Sequence, residues 1–314
     1  MNRMGLQGSE SQTLRDRMAT WRELVEQCGR KPTRKRVHVL RVVTLRIQAE
    51  VEYEMNQLPR ASHEAQAMLH FENVADRLRN ALGPVRELDV WIGKLRRLQD
   101  SQSGTVDYLP RSSRETIRQI GRIEERLTTK RQKAGLKLVA EIEKRHQNLM
   151  MASRDVERAT GERRHDLDGE QASSLLNEFA KLVGEFPIFD EENLHDFRKR
   201  IKNIRYLAEI HRADPTCGQI ASQLRKAQSA IGEWHDWQVL ARIASRGKHS
   251  KDVEAGELLN SVAAEAYEAA VGVCHNMVRR MADLAQNRHA GSQHMRKAPV
   301  RGEDTMGVSA KKLA

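Results

Sequence analysis

The stretch from Leu194 to Ile210, LHDFRKRIKNIRYLAEI, sets His195, Arg198, Lys202 and Arg205 at spacings of 0, 3, 7 and 10. On a helix these four side chains share a sector about 80° wide, while Arg200 lies more than about 100° from His195. A row of fixed cations beside a histidine is suited to an extended, strongly negative ligand. Arginine offers a planar fork of donors and lysine a compact point charge. A histidine donates to phosphate when neutral and more strongly when protonated, a state that a nearby polyanion favours. Rigid helices hold such groups in place, so little ordering entropy is lost on binding.

The elements needed to position this row are legible. Leu194, Phe197, Ile201, Ile204 and Ala208 form the apolar stripe beside it, and aligning His38 with His195 brings Val37, Leu40, Thr44, Ile47 and Val51 onto the same positions. In that earlier copy Arg34, His38 and Arg41 share the matching sector. A second feature also repeats: LGPVRELDVW at Leu82–Trp91 resembles IGEWHDWQVL at Ile231–Leu240, with Gly83 on Gly232 and Val90 on Val239. Each half therefore carries a basic His-x-x-Arg helix and a later glycine-then-acid segment.

Helical patterning is read at 13–28, 33–55, 62–83, 85–100, 112–150, 171–184, 191–212, 216–231, 233–246 and 253–286, with no sustained period-two alternation. The fold class expected is all-α: two pseudo-symmetric antiparallel helical bundles with a basic groove or pore between them. The divisions expected are a disordered N-terminus at 1–12, a first bundle at 13–150, a polar linker at 151–170, a second bundle at 171–286 and a disordered basic tail at 287–314.

Composition bounds the function. The chain has 314 residues, 31% charged and 39% hydrophobic, with a net charge of +11. Seven Lys or Arg residues and no acid lie between Glu26 and Glu50, a field that points to nucleic acid, an anionic membrane or a phosphate polymer. No apolar run approaches the roughly 18 residues of a membrane span, and no secretory signal is read. Cys28, Cys217 and Cys274 are odd in number and widely spaced, against a disulfide framework or cysteine-rich zinc site and in favour of a cytoplasmic protein. No cofactor is implied, and oligomeric state is not legible.

The pattern H-x-x-R-x-x-x-K-x-x-R-Y at His195–Tyr206, its shorter copy at His38–Arg41 and the paired glycine segments resemble the CHAD domain, the conserved histidine α-helical domain. The resemblance spans roughly Leu14 to Gln286. It implies a pseudo-twofold pair of bundles that binds inorganic polyphosphate in the basic groove, an association with polyphosphate granules, and no catalytic apparatus. The E-x-E-x-K motif of the triphosphatase sometimes fused to the family is absent. The first copy departs from the family at Leu45 and Gln48 and keeps only Arg46, and Lys31, Arg34, Lys35 and Arg36 are expected to supply charge from upstream. The polyphosphate-binding set carried over is thus His195, Arg198, Lys202, Arg205, His38, Arg41 and Arg46, with Arg34 and Lys31 added.

Two other readings exist. Nucleic-acid binding is the alternative; the charge permits it, but aromatic residues make up only 4% of the chain, few for base stacking. The dipeptides His165-Asp166, His195-Asp196 and His235-Asp236 suggest a metal-dependent HD-type phosphohydrolase, against which stand the three cations that share the His195 face. His235-Asp236, Arg86, Glu87 and Asp89 are read as structural, with Asp89 and Asp236 able to orient groove cations. Trp91, Trp234 and Trp237 are read as packing residues.

Overall fold

A computed structural model describes residues 14–102, 113–160, 170–245 and 252–296. Every regular element among them is an α-helix: α1 (Leu14–Arg30), α2 (Arg34–Met55), α3 (His63–Gln102), α4 (Arg114–Thr160), α5 (Glu170–Glu185), α6 (Leu194–Ile210), α7 (Pro215–Ser245) and α8 (Val253–Arg296). None is long and apolar enough to cross a membrane.

Local chemistry sets the entry of the two basic helices. Thr33 caps α2 from an extended conformation, its hydroxyl accepting from the Arg36 amide. At α6 the side chain of Asn193 makes no capping bond. Instead the Asp190 carboxylate accepts from the amides of Glu192 and Asn193 at 3.0 and 2.8 Å, which fixes the turn that aims α6.

Helices α1, α2, the first half of α3 and the end of α4 bury one core around Trp21, Val37, Leu40, Phe71, Leu78 and Leu149. Helices α5, α6, α7 and α8 bury another around Phe179, Phe197, Ile204, Leu224, Trp234 and Met277. The predicted stripe on each basic helix is its buried face: Val37, Leu40, Thr44, Ile47 and Val51 in α2, and Leu194, Phe197, Ile201, Ile204 and Ala208 in α6. A third apolar cluster draws on both halves. Leu88, Ile92, Leu95 and Leu98 of α3 and Ile120, Ile123 and Leu127 of α4 meet Leu240, Ala244, Ala255 and Leu259 of α7 and α8.

Several boundaries differ from the sequence expectation. Pro84 does not end the third helix; α3 runs through it. Leu82 and Val85 flank it fully buried, and their packing offsets the lost amide donor. Gly232 likewise lies inside α7. The expected linker begins too early, because α4 continues to Thr160 with Ala152, Ser153, Val156 and Thr160 buried; small and polar letters conceal that face from a hydrophobic pattern. The expected tail also begins too early, since α8 reaches Arg296 and Arg288 donates to Ser173 Oγ at 3.0 Å. Residues 1–13, 103–112, 161–169, 246–251 and 297–314, with His165 among them, lie outside the described residues.

Candidate functional site

Helices α2 and α6 pack against each other, as do α3 and α7, and the cations of the two basic helices gather where these four meet. The arginine of each His-x-x-Arg motif lies over a glycine of the neighbouring helix. Arg41 donates from Nη1 to the carbonyl of Arg79 at 3.3 Å, and Arg198 donates from Nε to the carbonyl of Gln228, also at 3.3 Å. Those carbonyls stand four residues before Gly83 and Gly232. A Cβ on Gly232 would come within 3.1 Å of Arg198 Nη2, and one on Gly83 within 3.9 Å of Arg41 Nη1. Gly232 is thus a close seat for Arg198, while Arg41 passes Gly83 at an ordinary contact distance.

Two further electrostatic relationships link aligned positions of the two halves. His195 lies against His235, ring centroids 4.8 Å apart and planes tilted by 37°, and the aligned His38 is under the positive field of Arg86. Asp236 acts electrostatically on Arg198 as Glu87 does on Arg41. Burial holds both carboxyls above the ordinary range; Lys94, then Arg198 and Arg86, oppose this at Asp236, and Arg41 and Arg86 oppose it at Glu87.

Lys202 stands at the centre of the positive charge. It is partly buried, and its pKa falls from 10.5 to about 8, first through burial and then through Arg79, Arg41, Arg198 and Arg205. Those four arginines come from α2, α3 and α6. Lys202 has no acidic partner among the described residues, and its ammonium lies over the Tyr206 ring with Nζ 5.7 Å from the centroid. Three histidines at the site have their charged form disfavoured. His195 and His38 are pushed below the usual imidazole value by burial and then by nearby Lys199 and Arg198, or Arg86 and Arg34. His235 falls to about 4 through burial, His195, Arg198 and Arg242. His195 Nδ1 is buried without a hydrogen-bond partner among the described residues.

The other predicted residues divide. Lys199 and Arg200 are exposed and pair with Asp196 at 3.0 Å and Glu185 at 3.0 and 3.2 Å, so they stand outside the row and already have counterions. Arg205 shares Glu209, at 2.9 Å, with Arg46 of α2 and Arg225 of α7; one carboxylate serves three arginines. Arg34 lies on Gly93, where a Cβ would come within 2.9 Å of its guanidinium. Arg36 instead donates to the carbonyls of Gln27 and Lys31. Lys31 is exposed at the α1–α2 turn, with no side-chain partner among the described residues. Leu45, which aligns with Lys202, is buried, and Gln48, which aligns with Arg205, donates to Glu72 and Asp76. Charge missing from the first copy is made up by Arg79 of α3, which a reading centred on the histidine helices overlooks. Arg79, Gly83 and Arg86 stand at spacings 0, 4 and 7 on one helical face, and that spacing was its available signal.

The acids read as structural have distinct partners. Asp89 is buried and takes Arg131 in a two-point contact at 2.9 and 3.2 Å, tying α4 to α3. Trp234 is in the core, and Trp237 lies under Lys94 with Nζ 4.5 Å from its ring. Lys94, 1% exposed, pairs with Glu233 and so joins α3 to α7.

A family profile for the CHAD domain matches residues 12–245. The chain belongs to the CHAD domain family. A search among curated proteins finds no match. The family match includes both basic helices and both repeated glycines; helix α8 of this CHAD protein lies beyond it. Among the described residues no three His, Cys, Asp or Glu side chains gather as metal ligands, and Asp196 is engaged by Lys199.

Proposed function

We propose that this CHAD protein binds inorganic polyphosphate, without transforming it, at the basic site between its two halves. The observation that carries the reading is Lys202: a partly buried ammonium whose pKa is driven down to about 8 by burial and four arginines from three helices. Like charges are gathered at a cost that a bound polyanion reverses. The set is His195, Arg198, Lys202 and Arg205 from the second half and Arg34, His38, Arg41, Arg46, Arg79 and Arg86 from the first, with Lys31 as an outlying contact. Glu87 and Asp236 orient Arg41 and Arg198 and keep the unliganded cluster from full repulsion. In this reading the protein works in the cytoplasm, on polyphosphate granules, with no cofactor.

The test is competition between long-chain polyphosphate, DNA and RNA for the purified protein at several salt concentrations. Polyphosphate is expected to bind tighter per charge, with a steep loss of affinity as salt rises through counterion release. Tighter binding of nucleic acid at physiological salt overturns the reading. Turnover of polyphosphate during the assay overturns the non-catalytic part.

A further inference from the structure

Beyond the central cluster, a groove of about 480 Å³ lies between α7 and α8, and its lining includes Arg225, Lys226, Ser229, Asn276 and Arg280. Three of these are cations, and no acid lines the groove. Lys226 and Arg280 are exposed and have no side-chain partner among the described residues. Ser229 and Asn276 add neutral donors, and buried Met277 forms part of the wall.

The groove is connected to the central site by one residue. Arg225 reaches Glu209 at 2.7 Å, the carboxylate that Arg205 holds at 2.9 Å and Arg46 at 3.4 Å. Three arginines on one carboxylate leave a net positive bridge. Arg205 in turn is among the charges that act on Lys202. Positive side chains thus run from Lys202 through Arg205 and Arg225 to Lys226 and Arg280. Among the described residues the matching place in the first half is balanced rather than basic. There the positions aligned with Arg205 and Arg225 are Gln48 and Asp76, and Gln48 donates to Asp76 at 2.7 Å and to Glu72 at 3.0 Å. An anionic chain leaving the centre meets unpaired cations on one side and, on the other, carboxylates of which Asp76 is already paired with Arg79 at 2.8 Å.

We infer that the groove between α7 and α8 is an extension subsite that takes a further stretch of a linear phosphate chain already held at the central cluster. The inference rests on the polyphosphate reading and adds a direction and a length preference to it. A short oligophosphate fills the central cluster alone. A long chain runs on past Arg225, and the contacts with Lys226 and Arg280 belong only to it. Helix α8 thereby takes part in binding, although it lies beyond the matched family region.

The experiment measures binding of tripolyphosphate and of long-chain polyphosphate to the full chain carrying Lys226→Ala with Arg280→Ala. Long-chain affinity is expected to fall about tenfold, with the salt slope reduced by roughly 2, one per lost cation. Tripolyphosphate affinity is expected to change less than about twofold. Lys144→Ala with Lys181→Ala, two exposed cations that do not line the groove, controls for net charge. Circular dichroism checks the fold of each variant. An equal loss in the control, an equal loss for both ligands, or no loss for the long chain overturns the extension subsite. A loss of both ligands with Arg198→Ala and Lys202→Ala, beside an unchanged long-chain affinity with the groove variant, overturns the extension alone. Failure of the unaltered protein to bind either phosphate overturns both proposals.

Discussion

Arg198 lies across Gly232, its Nη2 3.1 Å from the place a Cβ would occupy, and donates to the carbonyl one turn earlier. The glycine is therefore a seat for a cation rather than a break in α7. Alanine in a helix interior is favoured over glycine by about 1 kcal/mol, but here the methyl crowds the guanidinium and pushes it a few tenths of an ångström off its seat. Gly232→Ala is expected to hold or raise the melting temperature while weakening polyphosphate binding several-fold. Gly83→Ala, whose Cβ keeps 3.9 Å from Arg41, is expected to bind nearly as the unaltered protein does. Thermal melts and titrations on both variants check the contrast, and equal binding losses would refute it.

Charge position rather than charge number governs the binding row. Arg198→Ala with Lys202→Ala is expected to reduce polyphosphate affinity far more than Lys199→Ala with Arg200→Ala, since the latter cations already have carboxylate partners. Both pairs remove two positive charges. Isothermal titration of the two double variants decides, and equal losses would mean that net charge alone matters.

Lys202 links binding to pH and to stability. Its folded pKa of about 8 lies below the unfolded value of 10.5. Between those values the unfolded chain holds the extra proton, so stability rises with pH across that window. Binding runs the other way: the free lysine loses its charge above about 8, and affinity falls as pH rises through that value. Lys202→Leu, the residue that Leu45 already supplies in the first copy, is expected to stabilise the protein near neutral pH by at most about 3 kcal/mol and to weaken binding. It also flattens both pH dependences, which denaturant unfolding and titrations from pH 6 to pH 10 would register.

Glu72 shows the reverse sign. Burial raises its carboxyl from 4.5 to about 7, against the Gln48 hydrogen bond. The folded state holds the extra proton between those values, so stability falls as pH rises through them. Glu72→Gln is expected to be more stable than the unaltered protein above pH 7, with the advantage vanishing below about pH 4.5. Urea melts at the two pH values measure it.

Lys94 and Glu233 are unequal partners. Lys94 is 1% exposed and Glu233 is 53% exposed. Removing the acid leaves the buried ammonium with only the Trp237 ring, the Glu233 carbonyl at 3.5 Å and the field of Asp236, a loss of roughly 1.5–3 kcal/mol. Removing the lysine frees a carboxylate that water can reach. Glu233→Ala is therefore expected to destabilise more than Lys94→Met, and an inverted order in chemical denaturation would refute this account.

The sequence by itself determined the helical class, the buried stripes of α2 and α6, the two repeated motifs and the separation of Arg198, Lys202 and Arg205 from Lys199 and Arg200. All of these follow from periodicity, which one helix expresses without help from its neighbours. Tertiary structure decided the rest. Whether Pro84 and Gly232 end a helix depended on the packing around them, and residues 151–160 became helix because their small side chains face a partner. Arg79 joined the site only because α3 lies beside α2 and near α6. Glu209 became a shared counterion because α2, α6 and α7 meet there. Coulomb energy depends on distance in space, and distance between helices is what a linear pattern does not contain.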